Sequence, residues 1–214
     1  QWTDEHLRMT SGRFIALEGG EGAGKSTQAR LLAEALRKRG IGAVLTREPG
    51  GTPGAEAIRQ LLLSREGEGW NIRAEALLFA AARSDHVERL IRPALAAGRW
   101  VICDRFLDSS RAYQGASGLD DAAIRDLHDI GSDSLLPDLT ILVTVSAEVA
   151  AMRVAARDMG NSDRIGGRPQ EYHVQVSEAF EQFAQAEAQR FVRIDGDGTP
   201  EATHLLVMRA IERL

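Results

Sequence analysis

The residues best suited to chemistry lie together in Gly19–Thr27, GGEGAGKST, where Gly19 is followed after four residues by Gly24, Lys25 and Ser26. Gly19, Gly22 and Gly24 can take φ > 0 and let the main chain approach an anion with no side chain in the way. Successive N–H groups in such a loop, with a helix N-terminus behind them, form a concavity for phosphate. Lys25 adds a mobile point charge at the β- and γ-phosphates, and the Ser26 hydroxyl is placed to hold Mg²⁺. Gly19, Glu21, Gly22, Ala23, Gly24, Lys25, Ser26 and Thr27 are therefore expected to bind a nucleoside triphosphate. Asp104 closes the run Trp100–Val101–Ile102–Cys103, where a carboxylate can reach the metal or its waters; a plain helix cap is the alternative. Arg47 and Arg105 also stand at strand ends, from which guanidinium groups can fork onto the oxygens of a second, smaller anion.

These groups must be positioned by the elements around them. Phe14–Leu17 reads as a strand buried on both faces, bounded by Gly19–Gly20, and Ser26–Arg39 as a helix with Leu31, Leu32, Ala35 and Leu36 as its apolar stripe. Strand, glycine loop and helix in that order are the context of a P-loop. Further strands are expected at Ala43–Thr46, Trp100–Asp104, Leu139–Val145 and Phe191–Asp195. Helices are expected after the Thr52–Pro53 cap to Leu63, over Ile72–Ala97, Leu119–Gly131, Ala147–Met159 and Glu171–Gln189, and after Thr199–Pro200. Asp108–Gly118 reads as a mixed polar loop and helix start, and Gly160–Pro169, rich in glycine and arginine, as a mobile flap. Strands alternating with helices require a parallel sheet with right-handed crossovers: an α/β fold with five parallel strands flanked by helices.

The 214 residues suffice for one substantial core and fall short of two. A net charge of −5 argues against a broad nucleic-acid footprint, so an anionic substrate must be met by a local cluster. Lys25 and Lys38 are the only lysines among many arginines, so Lys25 stands out from its background. The one cysteine, Cys103, excludes an internal disulfide, suits a reducing compartment and reads as a small buried strand residue. No apolar run is long enough to span a bilayer and Gln1–Arg8 carries no signal-peptide core, so the expectation is cytoplasmic, with no membrane partner. Residues 1–12 read as a leader or flexible arm, with Met9 a possible natural start, and residues 13–214 as a single domain.

Four further stretches carry a resemblance: TREPGGT at Thr46–Thr52, LLFAAARSDHVERLIRPAL from Leu77, DRFLDSSRAYQG at Asp104–Gly115, and DRI at Asp163–Ile165. In order and spacing they resemble the thymidylate kinases, over Arg13 to about Leu214. The resemblance implies Mg²⁺-dependent transfer of the ATP γ-phosphoryl group to dTMP, a nucleoside monophosphate kinase fold and a homodimer. It implies that Phe79 stacks on thymine, that Ser110, with Gln114 as a second candidate, meets the thymine edge, and that Tyr113 lies beneath the sugar and crowds a ribose 2′-OH. Arg83, one helical turn from Phe79, can reach a base carbonyl, and Glu21 resembles the acidic residue that binds the sugar 3′-OH or a metal water. Arg47 and Arg105 would hold the dTMP phosphate. Simple core packing for Phe79 and a surface pair of Arg83 with Asp85 or Glu88 are the plainer readings. His86, His128 and His204 look like surface or boundary residues, with no catalytic role.

The P-loop, Gly20-Glu21-Gly22-Ala23, has no arginine, so the resemblance is to the subtype whose lid supplies one. Arg153, Arg157, Arg164 and Arg168 are available in or near a lid of about residues 157–169; Arg164 is the first choice at the transferring phosphoryl group and Arg157 the next. Gly166–Gly167 stand where the family commonly has Glu, and the fourth strand lacks an Asp near Thr144. Competing readings are a kinase for another nucleotide acceptor, a P-loop switch protein, for which a guanine-reading N-K-x-D element is missing, and a nucleic-acid-associated ATPase, which lacks its basic stripe.

Overall fold

A computed structural model describes residues 12–158 and 162–214; the leader assigned to residues 1–12 lies, Gly12 apart, outside them. The five expected strands are present: β1 (Phe14–Glu18), β2 (Ala43–Arg47), β3 (Trp100–Asp104), β4 (Leu139–Thr144) and β5 (Phe191–Asp195). All pair in parallel, in the order β2-β3-β1-β4-β5. The register places Leu17 beside Asp104 and Arg47 beside the same Asp104, so the C-terminal ends of the three strands finish level. Open α/β sheets bind their ligands at that edge.

The helices are α1 (Lys25–Lys38), α2 (Pro53–Leu63), α3 (Ile72–His86), α4 (Arg92–Ala96), α5 (Leu107–Ala116), α6 (Asp121–Ser132), α7 (Ala147–Asp158), α8 (Gln170–Ala186) and α9 (Pro200–Ile211). Central β1 shows why its run has no polar alternation. Ile15 and Leu17 join a core with α1 and α9, while Phe14 and Ala16 join another with Val87, Ile91, Phe106 and Leu107. Both faces of the strand are dry, and both are apolar. In α1 the buried face carries Ala29, Leu32, Ala33 and Leu36, so the stripe is rotated from the expected one and Leu31 and Ala35 are only half-buried.

Two expectations need correction. The helix over Ile72–Ala97 is interrupted by a π-turn at Val87–Ile91 before α4. Pro93 has no N–H for the carbonyl of Arg89, and the wider turn accommodates that gap. On the same helix Leu77 is 56% exposed. Asp108–Gly118 is not a partial loop: Leu107–Ala116 is helical throughout, with Asp108, Ser110, Arg111 and Gln114 buried. A helix that buries polar side chains leaves no hydrophobic stripe to read.

Candidate active site

The glycine loop folds as its residue types require. Gly19, Gly22 and Gly24 have φ of 142°, 74° and 89°. A Cβ on Gly19 would stand 2.3 Å from the Val143 carbonyl oxygen, and one on Gly22 would stand 2.6 Å from that of Ala150. Gly24 caps α1, so Lys25, Ser26 and Thr27 form its first turn with their N–H groups at the loop. Lys25, read as a mobile point charge, is buried, and its Nζ donates to the Gly20 carbonyl at 2.7 Å. Burial, then the neighbouring Arg105, lower its pKa to about 8. The Ser26 hydroxyl donates to Asp104 Oδ2, while buried Oδ1 of the same carboxylate has no hydrogen-bond partner. Asp104 thus sits beside the loop, not at a helix cap.

Arg105 links the two halves of the site. Its backbone is left-handed, with φ of 71°, an unfavourable conformation for a non-glycine residue that aims the side chain back over the loop. The guanidinium donates to Gly19 O at 3.2 Å, Ser109 Oγ at 3.1 Å and Glu21 Oε1 at 2.6 Å, and lies over the Tyr113 ring. Burial opposes its charge, but Tyr113 and the carboxylates of Glu21, Asp104 and Glu18 raise its pKa above the ordinary guanidinium value. Glu21 also accepts from Arg157 Nη1 at 2.9 Å and from the Tyr113 hydroxyl at 3.2 Å. Burial pushes its pKa up; the cations Arg105, Lys25 and Arg157 more than offset that and hold it well below the carboxylate range.

The acceptor half is built from side chains on several elements. TREPGGT forms a connected frame. Thr46 Oγ1 lies 2.7 Å from His86 Nε2, and Glu48 accepts from Arg83 Nε at 2.7 Å and pairs with His86 Nδ1 at 2.9 Å. The Glu48–Pro49 peptide is cis. Gly51 must be glycine, since a Cβ there would meet Thr46 Oγ1 at 2.5 Å and the His86 ring at 2.6 Å. Thr52 caps α2 through Ala55 N and donates to Asp85. Arg47 pairs with Glu56 at 3.2 Å, and Arg59 donates to Pro49 O at 2.7 Å. Burial raises the pKa of Glu48, but Arg83 and His86 together bring it below the usual carboxylate value.

Arg83 is therefore no surface pair with Asp85 or Glu88. It is buried on Glu48, and its Nη2 donates to Ser110 Oγ at 2.7 Å and Phe106 O at 3.3 Å. Gln114 Nε2 donates to Glu75 Oε1 at 3.2 Å, and its carbonyl oxygen is buried without a partner. Phe79 is half-buried between Leu63 and the α5/α8 cluster, with part of its surface on the cavity. One cavity of about 680 Å³ is lined by Lys25, Ser26, Arg47, Arg59, Phe79, Arg83, Asp104, Arg105, Ser110, Tyr113, Gln114, Arg153 and Arg157. A larger one, about 850 Å³, lies between α7, α8 and the ends of β4 and β5. It reaches Gly19 and Gly20 and shares Glu21 and Arg157 with the first, but it lacks Lys25, Arg105 and the Ser26–Asp104 pair, so the chemistry is assigned to the first.

Two expectations are not met. Arg164 is not at the glycine loop: it donates to the carbonyls of Ser64 and Glu66, both at 2.6 Å, and of Gly67 at 3.3 Å, which ties Asp163–Ile165 to the connection after α2. Of the lid arginines, Arg157 and Arg153 lie at the loop instead, the latter donating to Gly22 O at 3.4 Å. His86 and His128 are buried, not boundary residues: the ring nitrogens of His86 meet Thr46 and Glu48, and His128 Nε2 meets the Leu135 carbonyl, although its Nδ1 is buried without a hydrogen-bond partner. Glu18, Glu48, Glu75 and Arg59 went unread. One signal was available: Glu75, Phe79 and Arg83 recur every four residues on one face of α3. Glu18, at the end of β1, accepts from the N–H groups of Phe106 and Ser109 and so fixes the start of α5.

Comparison with known proteins finds relatives over nearly the whole chain. The family model described as thymidylate kinase matches residues 17–207. The chain is 56% identical over 204 residues to a thymidylate kinase of Rhizorhabdus wittichii, covering 95% of this chain and 98% of the relative. It is 47% identical over 206 residues to one from a Bradyrhizobium species, covering 95% and 91%. The crystal structure of thymidylate kinase from Ehrlichia chaffeensis superposes with a TM-score of 0.77 at 34% identity, over 94% of this chain and 99% of that one.

Proposed function

Because this chain belongs to the thymidylate kinase family, we propose that it transfers the γ-phosphoryl group of ATP to dTMP, giving dTDP and ADP, with the residue roles set out below. The observation that carries this reading is the single cavity that joins the glycine loop, at Lys25 and Ser26, to Phe79, Arg83, Ser110, Tyr113 and Gln114 by way of Arg105. ATP phosphates would lie on the N–H groups of Gly19–Thr27, with Glu21, Gly22 and Ala23 as the turn over them and Lys25 at the β/γ oxygens. Arg47, Arg59 and Arg105 would hold the dTMP phosphate opposite.

An acceptor phosphate oxygen attacks the γ-phosphorus as the bond to ADP breaks; no tuned general base is needed, since the attacking phosphate carries its own charge. Arg105 and Arg157, held at one end of Glu21, neutralise the charge between donor and acceptor. Arg164 would act as a tether for a lid of residues 157–169. Phe79 stacks on the base, Arg83 donates to a base carbonyl, Ser110 and Gln114 meet the base edge, and Tyr113 excludes a ribose 2′-OH. Ser26 and Asp104 fit a magnesium site, because the carboxylate whose Oδ2 takes the Ser26 hydroxyl keeps its buried Oδ1 unpartnered. When bound, the ion would neutralise charge on the β- and γ-phosphates.

Among the described residues no helix is long and apolar enough to cross a membrane. A cytoplasmic protein is the reading that ATP chemistry and a single buried thiol favour. A homodimer is supported by Leu77 on α3 and Ile130 on α6, exposed on helices that pack together. The activity is tested by a coupled ADP-release assay with ATP and Mg²⁺ over a panel of nucleoside monophosphates. Turnover is expected with dTMP above all others; a purine or cytosine nucleotide turned over faster would defeat the acceptor assignment.

A further inference from the structure

We propose that Arg168 and Glu75 are positioning residues that fix the Gln114 amide with its carbonyl facing the acceptor base, so that the lid itself sets which base edge is read. This rests on the thymidylate reading of the cavity and goes beyond it by naming what makes the base edge selective.

An amide in a pocket wall is ambiguous: one turn about its last bond exchanges donor for acceptor. Here the ambiguity is removed. Glu75 is 4% exposed and Gln114 1% exposed, both inside the wall between α3 and α5. Glu75 Oε2 accepts from Arg168 Nη2 at 2.6 Å, and an ion-paired carboxylate has only acceptors to offer. Glu75 Oε1 therefore takes the Gln114 NH₂ at 3.2 Å, and the reversed amide would set two oxygens against each other. Gln114 Oε1 is left buried and unpartnered, on a residue that lines the cavity. A buried acceptor without a partner is costly unless a ligand completes it.

On the same wall Arg83 is committed through Nε to Glu48 and through Nη2 to Ser110 and Phe106, and among the described residues no hydrogen bond takes its Nη1. The cavity thus presents a fixed donor and a fixed acceptor, each clamped by its own buried carboxylate. Thymine offers the complement, the O4 acceptor beside the N3–H donor. Cytosine offers the reverse, an amino donor beside an N3 acceptor, and would face both groups wrongly. Arg168 belongs to the lid segment and also donates to Ser117 Oγ at 3.0 Å and Tyr172 Oη at 2.5 Å, while Tyr172 donates to the Tyr113 carbonyl at 2.8 Å. Lid and base edge therefore share one hydrogen-bonded chain.

The test compares dTMP with 5-methyl-dCMP, which keeps the methyl group and the shape of thymine and inverts only the two polar positions. Steady-state kinetics and equilibrium binding are measured for the wild type, Arg168→Met, Glu75→Gln and the double variant. Arg168→Met is reached from the half-exposed side, leaves Glu75 in place and removes the partner that commits its carboxylate; it serves if Glu75→Gln folds poorly. Each single variant is expected to raise KM for dTMP about tenfold and to lower the preference for dTMP over 5-methyl-dCMP by at least as much, the effect falling more on KM than on kcat. The double variant should lose little more than either single one.

An unchanged preference overturns the proposal, whether accompanied by a loss of kcat in Arg168→Met, which would make it a transition-state charge, or by lowered thermal stability alone. If the wild type itself does not phosphorylate dTMP, the parent reading fails instead.

Discussion

On the proposed reading, the donor and acceptor halves of this site would grip their ligands by different means. The donor half is main chain: one stretch from Gly19 to Thr27 supplies N–H groups, and few side chains beyond Lys25 and Ser26 are needed. The acceptor half is side chain: Arg83, Ser110 and Gln114 come from α3 and α5 and are held by Glu48 from the end of β2 and Glu75 from α3. A main-chain cradle binds any polyphosphate and cannot tell one nucleotide from another. Side chains clamped by buried carboxylates can choose a base, and errors in their placement are costly because each clamp is buried. Arg105 and Glu21 are where the halves meet.

The division can be broken from either side, and the two breaks should look different. Lys25→Ala should have the largest effect, lowering kcat/KM for ATP about a thousandfold or more, with thermal unfolding unchanged or shifted upward, since a buried ammonium is removed. Retained turnover would sever the loop from the chemistry. Arg157→Ala should cost about a hundredfold in kcat with a smaller change in KM for dTMP, and Arg164→Ala clearly less, because Arg164 lies on the carbonyls of 64–67. A larger loss in Arg164→Ala would return it to the phosphoryl group on lid closure.

On the acceptor side, Glu48→Gln removes the counter-charge of Arg83 and the partner of His86. It should raise KM for dTMP at least tenfold, leave KM for ATP within about twofold, and lower stability by about 3 kcal/mol. Equal effects on both substrates would dissolve the distinction between the halves.

The smallest effect is on pH dependence. The ligand-free Lys25 pKa of about 8 means that the ammonium is lost above that pH, so kcat/KM for ATP should fall about fourfold between pH 7 and 8.5. An unfolded lysine titrates near 10.4. Between about pH 8 and that value the unfolded chain binds the extra proton, so the Lys25 contribution to stability should rise with pH while ATP capture falls. Kinetics and thermal unfolding across pH 7–10, with Lys25→Met as the reference, check the opposed trends.

The same contrast explains what was legible in the sequence. The five strands and the glycine loop were readable because their signals are local: continuous apolar runs, and glycines where φ is positive. In the proposed acceptor site, the roles of Phe79, Ser110 and Tyr113 come from resemblance alone. Its supports were barely visible, with only the four-residue spacing of Glu75, Phe79 and Arg83 as a signal. Glu48, Glu75 and His86 are polar residues that a composition rule sends to the surface, yet each is buried because another polar group meets it. Helix α5 was half missed for that reason, since its inward face is polar. Arg164 could not be placed, because its partners are carbonyl oxygens about a hundred residues away, and carbonyls carry no sequence signature.

The central claim, that the glycine loop and the thymine-shaped pocket act on one phosphoryl group, is tested most directly by following label from ATP marked at the γ-phosphorus. With dTMP present, the label should move to dTDP at the rate at which ADP appears, and without dTMP it should stay on ATP. Release of the label as inorganic phosphate at a rate indifferent to dTMP would contradict the account.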